Sequence, residues 1–179
     1  MAQFQAFAQG VQVNGETVLS VVNGMGAFKN TGMTVLAGNG IPNPQAGEWY
    51  PQQSWLNAFK EIADKVGGKT LQIIGQAIPS SAKWPLAVDT VEKALSSIDI
   101  AYHMNHRGGE IGYYKFESTG PNSGKMVCKN PYPSDFDFGI IYAVARKFAP
   151  SGTATVEFDS TAPCRKSGAD SCTYLVTWK

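Results

Sequence analysis

The stretch "EIGYYKFESTGPNSGKMVCK", residues 110–129, decides the fold. Before it, apolar residues recur with a helical period. Within it they alternate, so "EIGYYKFES" and "GKMVCK" read as two strands joined by the turn "TGPNSG".

Working outward, the upstream half is helical. In "PQQSWLNAFKEIADKVGG" (51–68), Trp55, Phe59, Ile62, Ala63 and Val66 share one helix face, and Gly67-Gly68 stops it. "TLQIIGQAIP" continues with Leu71, Ile74 and Ile78 until Pro79. In "VDTVEKALSSIDIAYHMNHRGG" (88–109), Val91, Leu95, Ile98 and Tyr102 form the stripe, with Asp89 as N-cap and Gly108 as terminator.

Downstream, "SDFDFGIIYAVARKFAP" (134–150) returns to helix, with Ser134 and Asp137 as a short capping box. "TATVEFD" and "CTYLVTW" then alternate, Ala154, Val156 and Phe158 on one inward face, Cys172, Tyr174, Val176 and Trp178 on the other. The first 50 residues are Gly-rich: "ETVLSVVNGMG" (16–26) suggests a short helix, and "GMTVLAGNGIPNPQAGEWYP" (32–51) reads as turns.

The expected architecture is α+β, with helices packed on a four- to five-stranded antiparallel sheet. One domain is expected over 1–179: a weakly patterned 1–50, a helical 51–109, and strand–strand–helix–strand–strand over 110–179.

Composition narrows the function. A net charge of +1 without a basic run argues against nucleic acid and acidic membrane surfaces as partners. No apolar run approaches ~18 residues, so no membrane span is expected. The start "MAQFQAFAQGVQVNG" lacks the basic-then-apolar pattern of a signal peptide, and three cysteines do not make a secreted disulfide framework. These features predict a cytoplasmic protein with reduced thiols.

Three groups of residues carry candidate chemistry. Cys164 and Cys172 flank a polar turn centred on Gly168, and Cys128 lies on an earlier strand. They can be zinc ligands with Asp159 or Glu157 as a fourth donor, a redox pair with a spare, or small buried hydrophobes. Asp99, His103 and His106 stand at i, i+4 and i+7, either a ligand set or a polar flank at a helix end. Trp55, Phe59, Trp84, Ile98, Tyr102, Tyr113, Phe116 and Tyr142 fall on elements that should converge, and either line an apolar ligand pocket or fill the core. No G-x-G-x-x-G, P-loop or G-x-S-x-G pattern occurs.

"CKNPYPSDFDFGIIYAVARKF" followed by "VEFDSTAPCRKSGADSCTYLVTW" resembles the 4-vinyl reductase domain family over about residues 110–178. The matching positions are Cys128, the helix around Gly139, Cys164, Gly168, Cys172, Tyr174 and Val176. The resemblance implies the fold of vesicle-tethering subunits and, more distantly, of haem-based nitric oxide sensors. It further implies a homodimer, a small hydrophobic ligand, and a zinc ion held by Cys128, Cys164 and Cys172. The Glu that completes the family's zinc site is replaced here by Thr161, so Asp159 or water has to stand in. The expected function is a ligand-binding sensor or carrier. The alternatives are a tethering scaffold without ligand and a reductase-related enzyme; with no redox-cofactor motif, only His103 with Asp99 offers an acid/base pair.

Overall fold

The computed structural model describes residues 3–83, 85 and 88–179. Its centre is a pair of helices packed on one another and on a sheet.

A small three-stranded sheet gathers β1 (Gln12–Asn14), β2 (Trp49–Pro51) and β3 (His106–Arg107), with β1 in the middle and both pairings antiparallel. Helix α1 (Gly15–Gly24) follows directly, capped by the Asn14 side chain, which accepts from the Thr17 N–H at 3.0 Å. The stretch expected to be turns contains a helix, α2 (Lys29–Gly38). Its Val35 and Leu36 are buried against the rest of the core, and that burial outweighs the two glycines it contains, Gly32 in its first turns and Gly38 at its end.

Helix α3 (Gln52–Ser81) carries a break at Gly67, whose φ of 73° is open to glycine at little cost, so the expected stop there is a kink between two helical halves. The second half runs two residues past Pro79. Helix α4 (Val91–Met104) is capped by Thr90, not Asp89: the Thr90 hydroxyl accepts from the Lys93 N–H, while Asp89 pairs with the Lys93 ammonium in solvent.

The second sheet has four antiparallel strands, β4 (Tyr113–Gly120), β5 (Ser123–Lys129), β6 (Ala154–Phe158) and β7 (Cys172–Trp178), in the order β4-β5-β7-β6. Between β5 and β6 the chain forms α5 (Ser134–Phe148), which lies across one face of the sheet. That face carries the alternate residues Met126, Cys128, Val156, Cys172, Tyr174 and Val176, all buried, as the two-residue period requires. The α+β expectation and its sheet are therefore observed.

Helices α3 and α5 meet backbone to backbone at Gly75 and Gly139. A Cβ at Gly139 would lie 2.0 Å from the Gln72 carbonyl oxygen, and one at Gly75 2.2 Å from that of Phe136. Glycine at both positions lets the helices approach this closely, which seats the start of α5 against the middle of the molecule.

The expected capping box on α5 does not form. Pro133 is the cap, and Ser134 is the first helical residue with its hydroxyl turned to the Cys172 sulfur. Asp137 instead meets a buried cation.

Candidate ligand cavity

Thr17 of α1, Ile78 and Ala82 around the end of α3, and Ile98, Ala101 and Tyr102 of α4 surround a cavity. Asn105, His106, Tyr114, Tyr132, Phe136 and Ile140 complete its wall. Its volume is about 50 Å³, counted as the space open to the centre of a water-sized sphere. At ~10–15 Å³ per water, that is room for a few water-sized groups.

The polar groups on this wall are mostly engaged with protein. The Tyr102 hydroxyl donates to the Ile111 carbonyl at 2.6 Å, and that of Tyr114 donates to Asp137. Asn105 accepts from the Asn14 amide at 2.7 Å and donates to the carbonyls of Lys83 and Ala101. His106 is fixed at both nitrogens: Nδ1 is 2.8 Å from the Tyr102 carbonyl oxygen and Nε2 is 2.7 Å from the Tyr132 hydroxyl. The wall's one polar side chain without a partner among the described residues is Thr17, through its buried Oγ1.

The wall is also uncharged. Burial pushes the His106 imidazole down to about 4, so it is neutral at pH 7. Burial raises the Tyr102, Tyr114 and Tyr132 phenols, so they keep their protons.

Charge sits one layer behind. Arg165 and Asp137 form an ion pair with side-chain exposures of 1% and 0%. Arg165 also donates to the Asn130 side chain at 2.6 Å and to the Tyr132 carbonyl at 2.7 Å. Asp137 accepts from Tyr114, Asn130 and Arg165. Burial pushes the Asp137 carboxyl up while Arg165 and the two other donors oppose it. This network ties the turn before β7 to the start of α5, and so to Tyr132 and Phe136 in the cavity wall.

Ile98 and Tyr102, of the eight aromatic and aliphatic candidates, line the cavity. Trp55 and Phe59 are fully buried and stacked with ring centroids 5.0 Å apart, in the core beside the cavity. Tyr113 is 40% exposed, because the register of β4 turns its neighbour Tyr114 inward instead. Phe116 covers Gly124 on the sheet, and Tyr142 is half-buried away from the cavity. Trp84 lies outside the described residues.

Asp99, His103 and His106 do not share a site. Helix α4 ends at Met104, so His106 enters β3 and turns inward, while His103 stays exposed over Asp99, Nδ1 to Oδ2 3.6 Å. Tyr132, Phe136, Ile140, Thr17 and Asn105 went unnoticed in the sequence because each reads as an ordinary loop, cap or core residue.

The three cysteines do converge. Cys128 stands opposite Cys172 in the β5–β7 ladder, and Cys164 is bonded to Cys172 in a disulfide. This corrects the expectation of reduced thiols and of a zinc site. Zinc needs thiolates, and two of these sulfurs are bonded to each other. Burial raises the third, the Cys128 thiol, well above its ordinary value. Asp159 is turned away, accepting from the backbone and hydroxyl of Thr161 at 2.9 and 2.6 Å. Among the described residues no group of three His, Cys, Asp or Glu gathers as a metal site.

Helices gathered on an antiparallel sheet, with a small apolar cavity walled mainly by the helices, define the class: an α+β domain. Comparison with solved structures places the fold more narrowly, with that of H-NOX (haem nitric-oxide-binding) proteins. The S. oneidensis H-NOX protein in its Fe(II)NO state superposes with a TM-score of 0.64 at 12% identity, covering 92% of this chain and 98% of that one. The unliganded Fe(II) H-NOX protein of K. algicida gives 0.62 at 11% identity over 93% and 96%. A doubly substituted Tt H-NOX gives 0.66 at 14% identity over 93% and 95%. No family model matches the sequence, and no curated protein matches it. The likeness therefore shows the fold, and none of these matches supports the vinyl-reductase resemblance. No helix among the described residues is long and apolar enough to cross a membrane.

Proposed function

We propose that this chain is a small-molecule-binding sensor or carrier domain whose ligand occupies the cavity between α1, α3, α4 and the start of α5. The observation that carries the reading is the cavity itself, a partly open and mostly apolar pocket in a fold shared with H-NOX proteins. Preformed apolar concavities with few polar groups are the usual form of small-molecule sites. The Arg165–Asp137 network behind Tyr132 offers a route by which occupancy would be felt at the turn before β7.

Haem is the group that the structural neighbours suggest, and the residues present do not fit it. Both nitrogens of His106 are already hydrogen-bonded, so neither is open to iron. No described lining residue is cationic, so propionates would be unpaired. A space of about 50 Å³ is far smaller than a macrocycle needs.

The vinyl-reductase resemblance is supported by the convergence of Cys128, Cys164 and Cys172 at one end of the sheet. Under this reading the domain is a homodimer, as the resemblance implies. The test is a thermal-shift screen of small molecules against the intact chain, with bound ligand counted by native mass spectrometry. Saturable, stoichiometric stabilisation is expected. A chain that no small molecule stabilises, and that co-purifies with none, overturns the proposal.

A further inference from the structure

The proposed sensor role leaves the ligand's chemistry open, and the wall narrows it. Of the polar side chains around the cavity, Tyr102, Asn105, His106, Tyr114 and Tyr132 direct their hydrogen bonds to other protein groups. Thr17 alone has a buried oxygen without a partner. The remaining lining is aliphatic or aromatic: Ile78, Ala82, Ile98, Ala101, Phe136 and Ile140. An ionised ligand would be desolvated here with no partner charge, which strongly disfavours its binding. A ligand with several polar atoms would leave most of them unpaired.

Resting on that sensor reading, we infer that the cavity binds, directly and without haem, a neutral molecule of a few heavy atoms bearing at most one polar atom. That class comprises dissolved gases, short hydrocarbons and the smallest alcohols or ketones. Thr17 Oγ1 is the one group placed to hydrogen-bond the single polar atom. The fold that surrounds an iron porphyrin in its structural neighbours would here enclose the small molecule itself.

The experiment uses xenon, 2-propanol and haemin on the intact chain. Xenon, which enters dry apolar cavities, is expected to give a saturable one-site shift in xenon NMR. Filling the space with Ala101→Leu should abolish that shift, and enlarging it with Ile98→Ala should strengthen it. Either variant suffices if the other does not fold. Thr17→Val should weaken binding of 2-propanol and leave xenon unchanged. Haemin titration should give no stoichiometric complex with a Soret band. A one-to-one haem complex whose Soret band moves on His106→Ala overturns this inference and leaves the sensor reading standing. Binding of none of these probes, in a chain the wider screen does stabilise, overturns the inference alone. Failure in the wider screen as well overturns both.

Discussion

The Tyr132 hydroxyl donates its hydrogen to Nε2 of His106 across 2.7 Å. The direction is set on the far side of the ring. Nδ1 faces the Tyr102 carbonyl at 2.8 Å, and a carbonyl only accepts, so Nδ1 carries the imidazole proton and Nε2 accepts. The cavity wall thus holds a neutral imidazole in a single tautomer.

That arrangement makes stability depend on pH. The folded pKa of His106 is depressed to about 4 from 6.5 by burial. Its contribution is fully present above 6.5, is lost as pH falls from there, and levels off near 4, because only the unfolded chain takes the proton in that window. The loss should be on the order of 3 kcal/mol between pH 7 and pH 4. Urea unfolding at several pH values checks it, and His106→Gln should flatten the slope between pH 6.5 and 4.

Removing Arg165 should be severe. Arg165→Met leaves Asp137 buried without its cation, at a cost of about 3–5 kcal/mol. The double variant Arg165→Met/Asp137→Leu should cost clearly less than the two single changes together. A double-mutant cycle by chemical denaturation measures the difference; additive losses would show that the two charges are not coupled.

The α3–α5 crossing predicts a contrast among glycines. Gly139→Ala forces a methyl group against the Gln72 carbonyl and should cost about 1–3 kcal/mol or more, with Gly75→Ala similar. Gly38→Ala, at the end of α2 with nothing within 4 Å of the added Cβ, should stay within about 0.5 kcal/mol. Melting temperatures of the three variants decide it.

The disulfide separates two accounts of the cysteines. Cys164→Ser should lose about 2–3 kcal/mol, as expected for opening a short loop, and excess reductant should produce the same loss in the parent chain. A zinc chelator should change nothing. Stoichiometric zinc, with a melting temperature that falls on chelation, would restore the metal site and refute the disulfide.

The strand–strand–helix–strand–strand order, a break in the helix at Gly67 (expected as a stop, found as a kink) and the inward faces of β6 and β7 were legible in the sequence. Each follows from local periodicity or from the conformational range of one residue type. The short strands β1, β2 and β3 were not, since three residues or fewer show no period and pair only across long separations. Helix α2 was hidden because its glycines resemble turn chemistry until burial of Val35 and Leu36 is counted. On β4 alternation was visible, but which of Tyr113 and Tyr114 faces inward depends on register, and a slip of one residue reverses every side chain.

By itself, then, the sequence determined the α+β class and the element order. Only the tertiary structure decided the site. Thr17, Ile98, His106 and Tyr132 lie on four separate segments, α1, α4, β3 and the loop before α5, and meet only through packing between elements distant in the chain. Local sequence encodes the period of each element. The chemistry of a cavity arises where elements distant in the chain pack together and use up one another's hydrogen bonds.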